Sequence, residues 1–399
     1  MKKVAILSAG ILPLPAVKGG AVETLIDIMS ENYQFGCYDF QLDIISIYNE
    51  IASKKSADYD KIRYHYIQPT PKRDRYCNII RRVCRKFLAH DTMYLYNYLR
   101  KARSIINQEK YDIVIIENRA DYATYLKNNT SAIIVSHLHN DYLSDGIFNA
   151  KSYERDSDVI IAVSDYIRNR VLDLGGSESK VYTVLNVIDV NKFTLTENDK
   201  RKAYAIREEL GFKPDDIVCV YTGRLHKTKG IDKLIQSFDF IKNKNVKLLV
   251  VGGYFYASSM SDDFETCLKT MTEKYKDRIY FTGYIDHEKI PYYCYMADIA
   301  IVPSQWEEPA GLVVVEAEAC GLPLIVAKSG GIPEYIDENS AIVLQKGESF
   351  VKKLAESIDR LSYSEALRRK IGQAGIKAAS KFDKTHYLDN VLNCIKEYL

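Results

Sequence analysis

The stretch "IVCVYTGRLHKTKGIDKLI", residues 217–235, contains one full unit of the fold's grammar. The β-branched run from Ile217 to Thr222 reads as a strand. Gly223 closes it, a basic loop follows, and Ile231 onward has the apolar spacing of a helix. The strand lacks strict alternation of apolar and polar residues, as expected where both faces are covered. A strand followed by a covering helix is the repeating element of a parallel α/β sheet.

Outward from there the grammar repeats. Strands are predicted at "KKVAILSA" (2–9), "FQLDIISI" (40–47), "YDIVIIEN" (111–118), "SAIIVSHL" (131–138), "DVIIAVS" (158–164) and "VYTVLN" (181–186). Helical patterns lie between them, such as "AVETLIDIMSENY" and "DYIRNRVLDLG". After the polar segment 194–216 the alternation restarts, with further strands at "VKLLVVGG" (246–253), "RIYFTGYI" (278–285), "DIAIVPS" (298–304) and "LPLIVAK" (322–328). The tail from Lys352 reads as helical. The pattern predicts an α/β protein with two Rossmann-like parallel-sheet domains, 1–195 and 196–381, followed by a helical segment, 382–399. In open sheets of this kind ligands bind beyond the carboxyl ends of the strands. Two such domains facing each other would frame a cleft.

Composition narrows the class. The chain has 399 residues, with 55 Lys+Arg against 53 Asp+Glu. A nucleic-acid binder would be more basic, so any polyanion site must be local. Eight cysteines form no Cys-x-x-Cys pair and read as free thiols in a reducing compartment. The apolar start "MKKVAILSAGILPLPAVKGG" reads as a first strand and loop, not a signal peptide. A cytoplasmic protein without a membrane span is expected.

Strand ends supply the candidate chemistry. Gly19-Gly20 follows the first strand and precedes a helix, which by itself favours a plain turn over backbone contact with an anion. His137 and His139 end another strand. A His-x-His pair can bind metal, but the sequence shows no matching carboxylate or cysteine cluster; a satisfied structural histidine is the default, and the strand-end position with Asn140-Asp141 shifts the reading toward a polar substrate contact. Arg224 and Lys229 flank a helix start, where two cations suit a diphosphate or form a solvated basic turn. Tyr284 and Ile285 follow "RIYFTG" and either border a flat slot or simply leave the core.

"SQWEEPAGLVVVEAEACG" (304–321) is the densest segment. Leu312 onward reads as a helix whose start at Gly311 leaves N–H groups bare for an anion. Glu308 lies in the loop before it. Glu316 sits on a largely apolar helix, where a carboxylate needs a partner. Glu307 and Glu318 are expected to face solvent. "DSD" (156–158) precedes a core strand and reads as structural. "KRDRYCNIIRRVCRKF" (72–87) carries seven Lys/Arg against one Asp, with apolar residues at helical spacing. It reads as a solvated helix or as a face for anionic membrane.

Taken together, "EEPAGLVVVEAEACGLPLIVAKSGGIPEYI" resembles the retaining glycosyltransferases of family 4, which have the GT-B fold. Glu308 and Glu316 match its paired glutamates, separated by seven residues. "GRLHKTKG", "IIAVSDYIRN", "VLNVIDVNKF" and "FTGYIDHEKIPYYCYMADIAIVPS" match its order. "PLPAVKGGAVETL" and "HLHNDYL" resemble the bacterial spore-coat and cell-surface polysaccharide branch. The resemblance implies that the last helix crosses back onto the N-terminal domain. It implies a nucleotide-sugar donor, UDP-linked, and transfer of a hexose or N-acetylhexosamine to a growing, possibly lipid-linked, surface glycan.

It also implies roles. Gly19 and Gly20 approach the donor phosphates. Arg224 and Lys229 neutralise the departing diphosphate. Tyr284 and Ile285 border the base. Glu308 binds donor-sugar hydroxyls, and the N–H groups of Gly311, Leu312 and Val313 meet the phosphates. Glu316 accepts from the ribose. His139, with His137 as the alternative, touches the donor sugar. No metal and no other cofactor is expected. Ala310 replaces an aromatic residue frequent in the family, which leaves the donor open. A different GT-B enzyme (a nucleotide-sugar 2-epimerase or a phosphorylase) and a non-catalytic partner subunit are the alternatives.

Overall fold

The structure, a computed structural model, describes residues 1–88, 92–253 and 263–399. It divides into two units: Met1–Asn186 with Lys384–Leu399, and Val187–Asp383.

The first unit is built on a seven-stranded sheet. Its strands are β1 (Lys2–Leu7), β2 (Phe40–Ile47), β3 (Arg63–Ile67), β4 (Ile113–Glu117), β5 (Ile133–Leu138), β6 (Val159–Ala162) and β7 (Val181–Thr183). They run in the order β3-β2-β1-β4-β5-β6-β7, and all pairs are parallel. The central strands are continuous apolar runs because helices cover both faces: every residue of β4 is buried. One face packs on Tyr98, Leu99, Ala102 and Ile106 of the helix Asn97–Glu109. The helix Ala21–Phe35 buries Leu25, Ile26, Ile28, Met29 and Tyr33 at helical spacing.

The second unit repeats the design with six parallel strands. These are β8 (Ile217–Thr222), β9 (Val246–Val251), β10 (Ile279–Gly283), β11 (Ile299–Val302), β12 (Leu324–Ala327) and β13 (Ala341–Leu344). Their order is β10-β9-β8-β11-β12-β13. The core packs Cys219, Leu248 and Ile301 from the sheet against Ile231, Leu234, Ile235, Leu354 and Ile358 from helices.

Two edge strands, β3 and β13, were not among the predicted ones. The domain boundary also shifts from 195 to Asn186. Residues 187–195 belong with the second unit: Ile188 bridges to Asp383, and the Phe193 ring meets the His287 ring edge-on at 6.0 Å. The chain re-enters the first unit at Lys384. There Lys384 Nζ pairs with Glu31 at 2.7 Å, and the Leu388 N–H donates to Asn32 Oδ1 at 3.1 Å. Tyr38 Oη donates to Asp389 at 2.9 Å. Tyr387, Leu388 and Val391 are fully buried, each stabilising by about 1.5–3 kcal/mol of apolar transfer.

Candidate active site

In each sheet the strand order reverses once, between β1 and β4 and between β8 and β11. Crevices at such reversals, beyond the carboxyl ends, are where α/β sheets bind ligands. The chemistry-bearing residues gather at both.

In the second unit, β8 is followed by the loop to Lys229-Gly230, and β11 by the loop to Gly311. The loops are sewn together. The N–H groups of Gln305 and Trp306 both donate to the Thr228 carbonyl, at 2.8 and 2.9 Å. Gly230 has φ +72°, and a Cβ there would lie 2.0 Å from the Pro303 carbonyl oxygen, so only glycine fits. Lys229 Nζ reaches both carboxylate oxygens of Glu308, at 2.7 and 2.9 Å, and Ser304 Oγ donates to Oε1 at 2.6 Å. Lys229 and Glu308 are thus brought into direct contact. Ser304, which the sequence marks only as a strand end, completes the group.

The Glu308 backbone is held from the other side. Its carbonyl accepts from the Gly331 N–H at 2.7 Å. Gly330 adopts φ +50° and lies so close that a Cβ would meet the Glu308 carbonyl oxygen at 2.2 Å. Glu307, as expected, is exposed; it accepts from the Gly330 N–H at 2.6 Å and pairs with Lys346.

The helix Leu312–Ala319 begins directly after Gly311, with no side-chain cap. Val314 and Val315 donate back to the Gly311 carbonyl. The N–H groups of Leu312 and Val313 precede any intrahelical acceptor, which makes this end receptive to an anion. Glu316, further along, finds a partner within the chain: His287 Nε2 lies 2.8 Å from its Oε1. That hydrogen bond, outweighing burial, raises the His287 pKa above the ordinary imidazole value. His287 was not foreseen. Arg224 is exposed beside the strand end, its carbonyl accepting from Tyr221 Oη at 2.8 Å. Tyr284 is exposed, Ile285 half-buried, and Gly253 lies against the Tyr284 backbone.

Glu318 corrects an expectation. It is fully buried, not solvent-facing. Burial pushes its pKa up to about 8, and neither carboxylate oxygen has a hydrogen-bond partner. Gly375 of the helix Glu365–Ala379 packs against its side chain.

In the first unit, Gly20 immediately precedes the helix Ala21–Phe35, and the Glu23 carboxylate lies against it. Burial, and then the charges of Glu117 and Asp27, push the Glu23 pKa up, against a hydrogen bond from its own N–H. Gly19 is exposed. His137 and His139 do have a carboxylate. Glu117 sits opposite His137 in the β4–β5 register. Its Oε1 lies 3.2 Å from His137 Nδ1 and its Oε2 2.9 Å from His139 Nε2. All three are buried at the side chain. The sequence hid Glu117 because it lies on a neighbouring strand. Among the described residues these three form the one set with metal-ligand composition, one atom from each within 4.8 Å of the others. Asp158 of the "DSD" segment is occupied by Lys127 at 2.6 Å and the Ile134 N–H at 2.8 Å.

Comparison with known proteins agrees with this arrangement. The family described as "Glycosyltransferase Family 4" matches residues 60–192, and "Glycosyl transferases group 1" matches 203–378. The spore coat protein SA of Bacillus subtilis (strain 168) is 26% identical, with 98% of each chain covered. The putative glycosyltransferase YtcC of the same organism is 28% identical over 92% of this chain and 85% of its own. The fold is that of Anabaena Alr3699/HepE, solved in complex with UDP-glucose: TM-score 0.76, 19% identity, both chains covered completely. With paired glutamates, a lysine on the first of them and two Rossmann-like sheets, the chain belongs to the family 4 glycosyltransferases of the GT-B fold, in the bacterial polysaccharide and spore-coat group.

Proposed function

We propose that the chain is a retaining hexosyltransferase that moves a hexose or N-acetylhexosamine from a UDP-sugar to a growing, lipid-linked cell-surface glycan. The observation that carries this reading is the Lys229–Glu308–Ser304 group at the β8/β11 reversal, beside the uncapped start of the helix Leu312–Ala319. The UDP assignment draws on the UDP-glucose complex of the structural relative.

Breaking the bond between the anomeric carbon and phosphate oxygen leaves negative charge on the diphosphate and positive charge on the sugar ring. Lys229, Arg224 and the N–H groups of Gly311, Leu312 and Val313 stabilise the first. Glu308 orients the sugar through its hydroxyls, and its carboxylate favours the positive ring. In a front-face reaction the acceptor hydroxyl attacks from the side the diphosphate leaves, and a departing phosphate oxygen takes the acceptor's proton. No separate carboxylate base is then needed, and fixed cations stand where other enzymes hold a metal. Glu316 takes the ribose hydroxyls, and Tyr284 and Ile285 border the base.

Thermal-shift screening with UDP-, GDP- and ADP-sugars tests the donor: a ligand at 100 times its Kd adds about 2.7 kcal/mol. Release of nucleotide diphosphate in the presence of glycan acceptor, insensitive to EDTA and yielding a product of unchanged anomeric configuration, is the expected result. No release with any of the three donors defeats the reading.

The lipid-linked acceptor rests on the helix Pro71–Leu88. Its inner side is engaged: Cys77 is buried, Arg81 pairs with Asp121 at 2.7 Å, and Arg85 lies over the Phe148 ring. Its outer side exposes Tyr76, Ile79, Val83 and Phe87 in one stripe, flanked by exposed Lys72, Arg73, Arg75, Arg82 and Lys86. An apolar stripe bordered by cations fits an anionic bilayer surface. Among the described residues, no helix is long and apolar enough to cross a membrane.

A further inference from the structure

The loop after β10 and the helix Leu312–Ala319 are joined by a side chain that the sequence did not single out. β10 ends at Gly283, which adopts a left-handed φ of +73°. Tyr284 and Ile285 follow, and then the short 3-10 turn His287–Lys289. His287 Nε2 lies 2.8 Å from Glu316 Oε1. The imidazole is set edge-on against the buried ring of Phe193, in the turn Val190–Phe193, at 6.0 Å. All of these residues lie in the second unit, Val187–Asp383.

The chemistry of the pair fixes the direction of the bond. An ionised carboxylate only accepts, so His287 Nε2 carries the hydrogen whether the imidazole is neutral or charged. The Glu316 side chain is largely covered, at 13% exposure. Its second oxygen, Oε2, has no hydrogen-bond partner among the described residues, and it is not sealed from solvent. One oxygen is thus held from a second element and the other is open. An imidazole that shut a ligand out would have to cover both. Holding a glutamate in one rotamer costs side-chain entropy. A bond already made in the free protein removes that cost from ligand binding.

We infer that His287 is a positioning residue that selects ribose over deoxyribose in the donor: by holding Glu316 Oε1 it fixes the carboxylate so that Oε2 accepts from a ribose hydroxyl. The inference rests on the reading of Glu316 as the ribose contact given above. His287 leaves from the same loop as Tyr284 and Ile285. The segment read as bordering the base therefore also sets the group that meets the sugar attached to that base.

Calorimetric titration of the whole chain tests this, with UDP, GDP and ADP as probes beside their 2′-deoxy and 3′-deoxy counterparts. Wild-type protein should prefer one ribonucleotide to its deoxy form by about 10–100-fold, the worth of a hydrogen bond to a charged group. His287→Ala should cut that preference by about 3–10-fold and leave affinity for the deoxynucleotide unchanged. His287→Gln keeps an N–H of similar reach and should restore most of the preference. Equal weakening of both nucleotides in His287→Ala would mean a merely structural role and overturns the inference. So does tighter ribonucleotide binding by His287→Ala, which would show the imidazole competing with the ribose. A preference kept in His287→Ala but lost in Glu316→Ala overturns the inference and leaves the ribose reading standing. No preference in the wild-type chain, or no binding of any of the three nucleotides, defeats the ribose reading and the inference together.

Discussion

Lys229 Nζ sits 2.7 and 2.9 Å from the two carboxylate oxygens of Glu308, closing a contact between the loops that follow β8 and β11. Each residue therefore sets the other's position. Lys229→Ala and Glu308→Gln should each lower turnover by about 100-fold or more, as for other charge-stabilising groups. Because they act as a pair, the double variant should cost much less than the product of the two. Steady-state kinetics of the three variants checks this, and multiplicative losses would show the two acting independently.

The buried Glu318 predicts a pH-dependent stability. Its folded pKa of about 8 lies above the ordinary value of 4.5. The folded state therefore holds a proton that the unfolded chain releases, and stability falls as pH rises from about 4.5 to about 8. Near pH 7 the penalty is on the order of 3 kcal/mol. Glu318→Gln should remove that slope and raise the thermal midpoint near neutral pH. Denaturation profiles of both proteins between pH 5 and pH 8 decide it: parallel profiles would mean that Glu318 is ordinary.

His287 and Glu316 predict the same direction of slope through a different mechanism. The raised His287 pKa means the bond contributes fully below the unfolded value of 6.5 and is lost as pH rises through the folded value. His287 is largely exposed, so the contribution is below about 1 kcal/mol. His287→Ala should be less stable than wild type at pH 6, and the gap should close by pH 9. A gap that widens with pH would contradict the assignment.

Gly230→Ala places a methyl group against the Pro303 carbonyl at a left-handed position. Backbone strain alone costs about 1–3 kcal/mol, and the clash moves the Lys229 loop away from Glu308. Chemical denaturation should show the loss, and nucleotide-sugar affinity should fall with it. Retained affinity at reduced stability would separate the loop from the site.

Tyr76, Ile79, Val83 and Phe87 give the membrane prediction. Changing all four to serine should abolish co-sedimentation with vesicles containing acidic phospholipid and leave folding intact, because their side chains are exposed. If wild-type protein fails to sediment with such vesicles, the helix is simply solvated.

Much of this architecture was legible because central parallel strands are long apolar runs: β2 lies where "FQLDIISI" predicts it. Two of the four edge strands, β3 and β13, were not. β3 reads "RYHYI" and buries only Ile67, while β13 buries only Leu344. An edge strand faces less core, so its sequence carries less pattern. The glutamate pair and Lys229 were legible because their motif is local. Glu117 and His287 were not, since each reaches its partner from a different element. Glu318 misled because a carboxylate is normally a surface residue, and only the packing of Gly375 against it shows otherwise.

The return of the chain to the first unit at Lys384 has a consequence for biosynthesis. On the ribosome the N-terminal sheet is complete once Thr183 has emerged, yet the segment that covers its helix Ala21–Phe35 is made only after the second unit. The nascent first unit must keep an apolar helix face uncovered while the whole second unit is translated. The second unit, by contrast, is one uninterrupted stretch, Val187–Asp383, and can close as soon as it is made. Joining residues 384–399 ahead of Met1 by circular permutation would remove that delay.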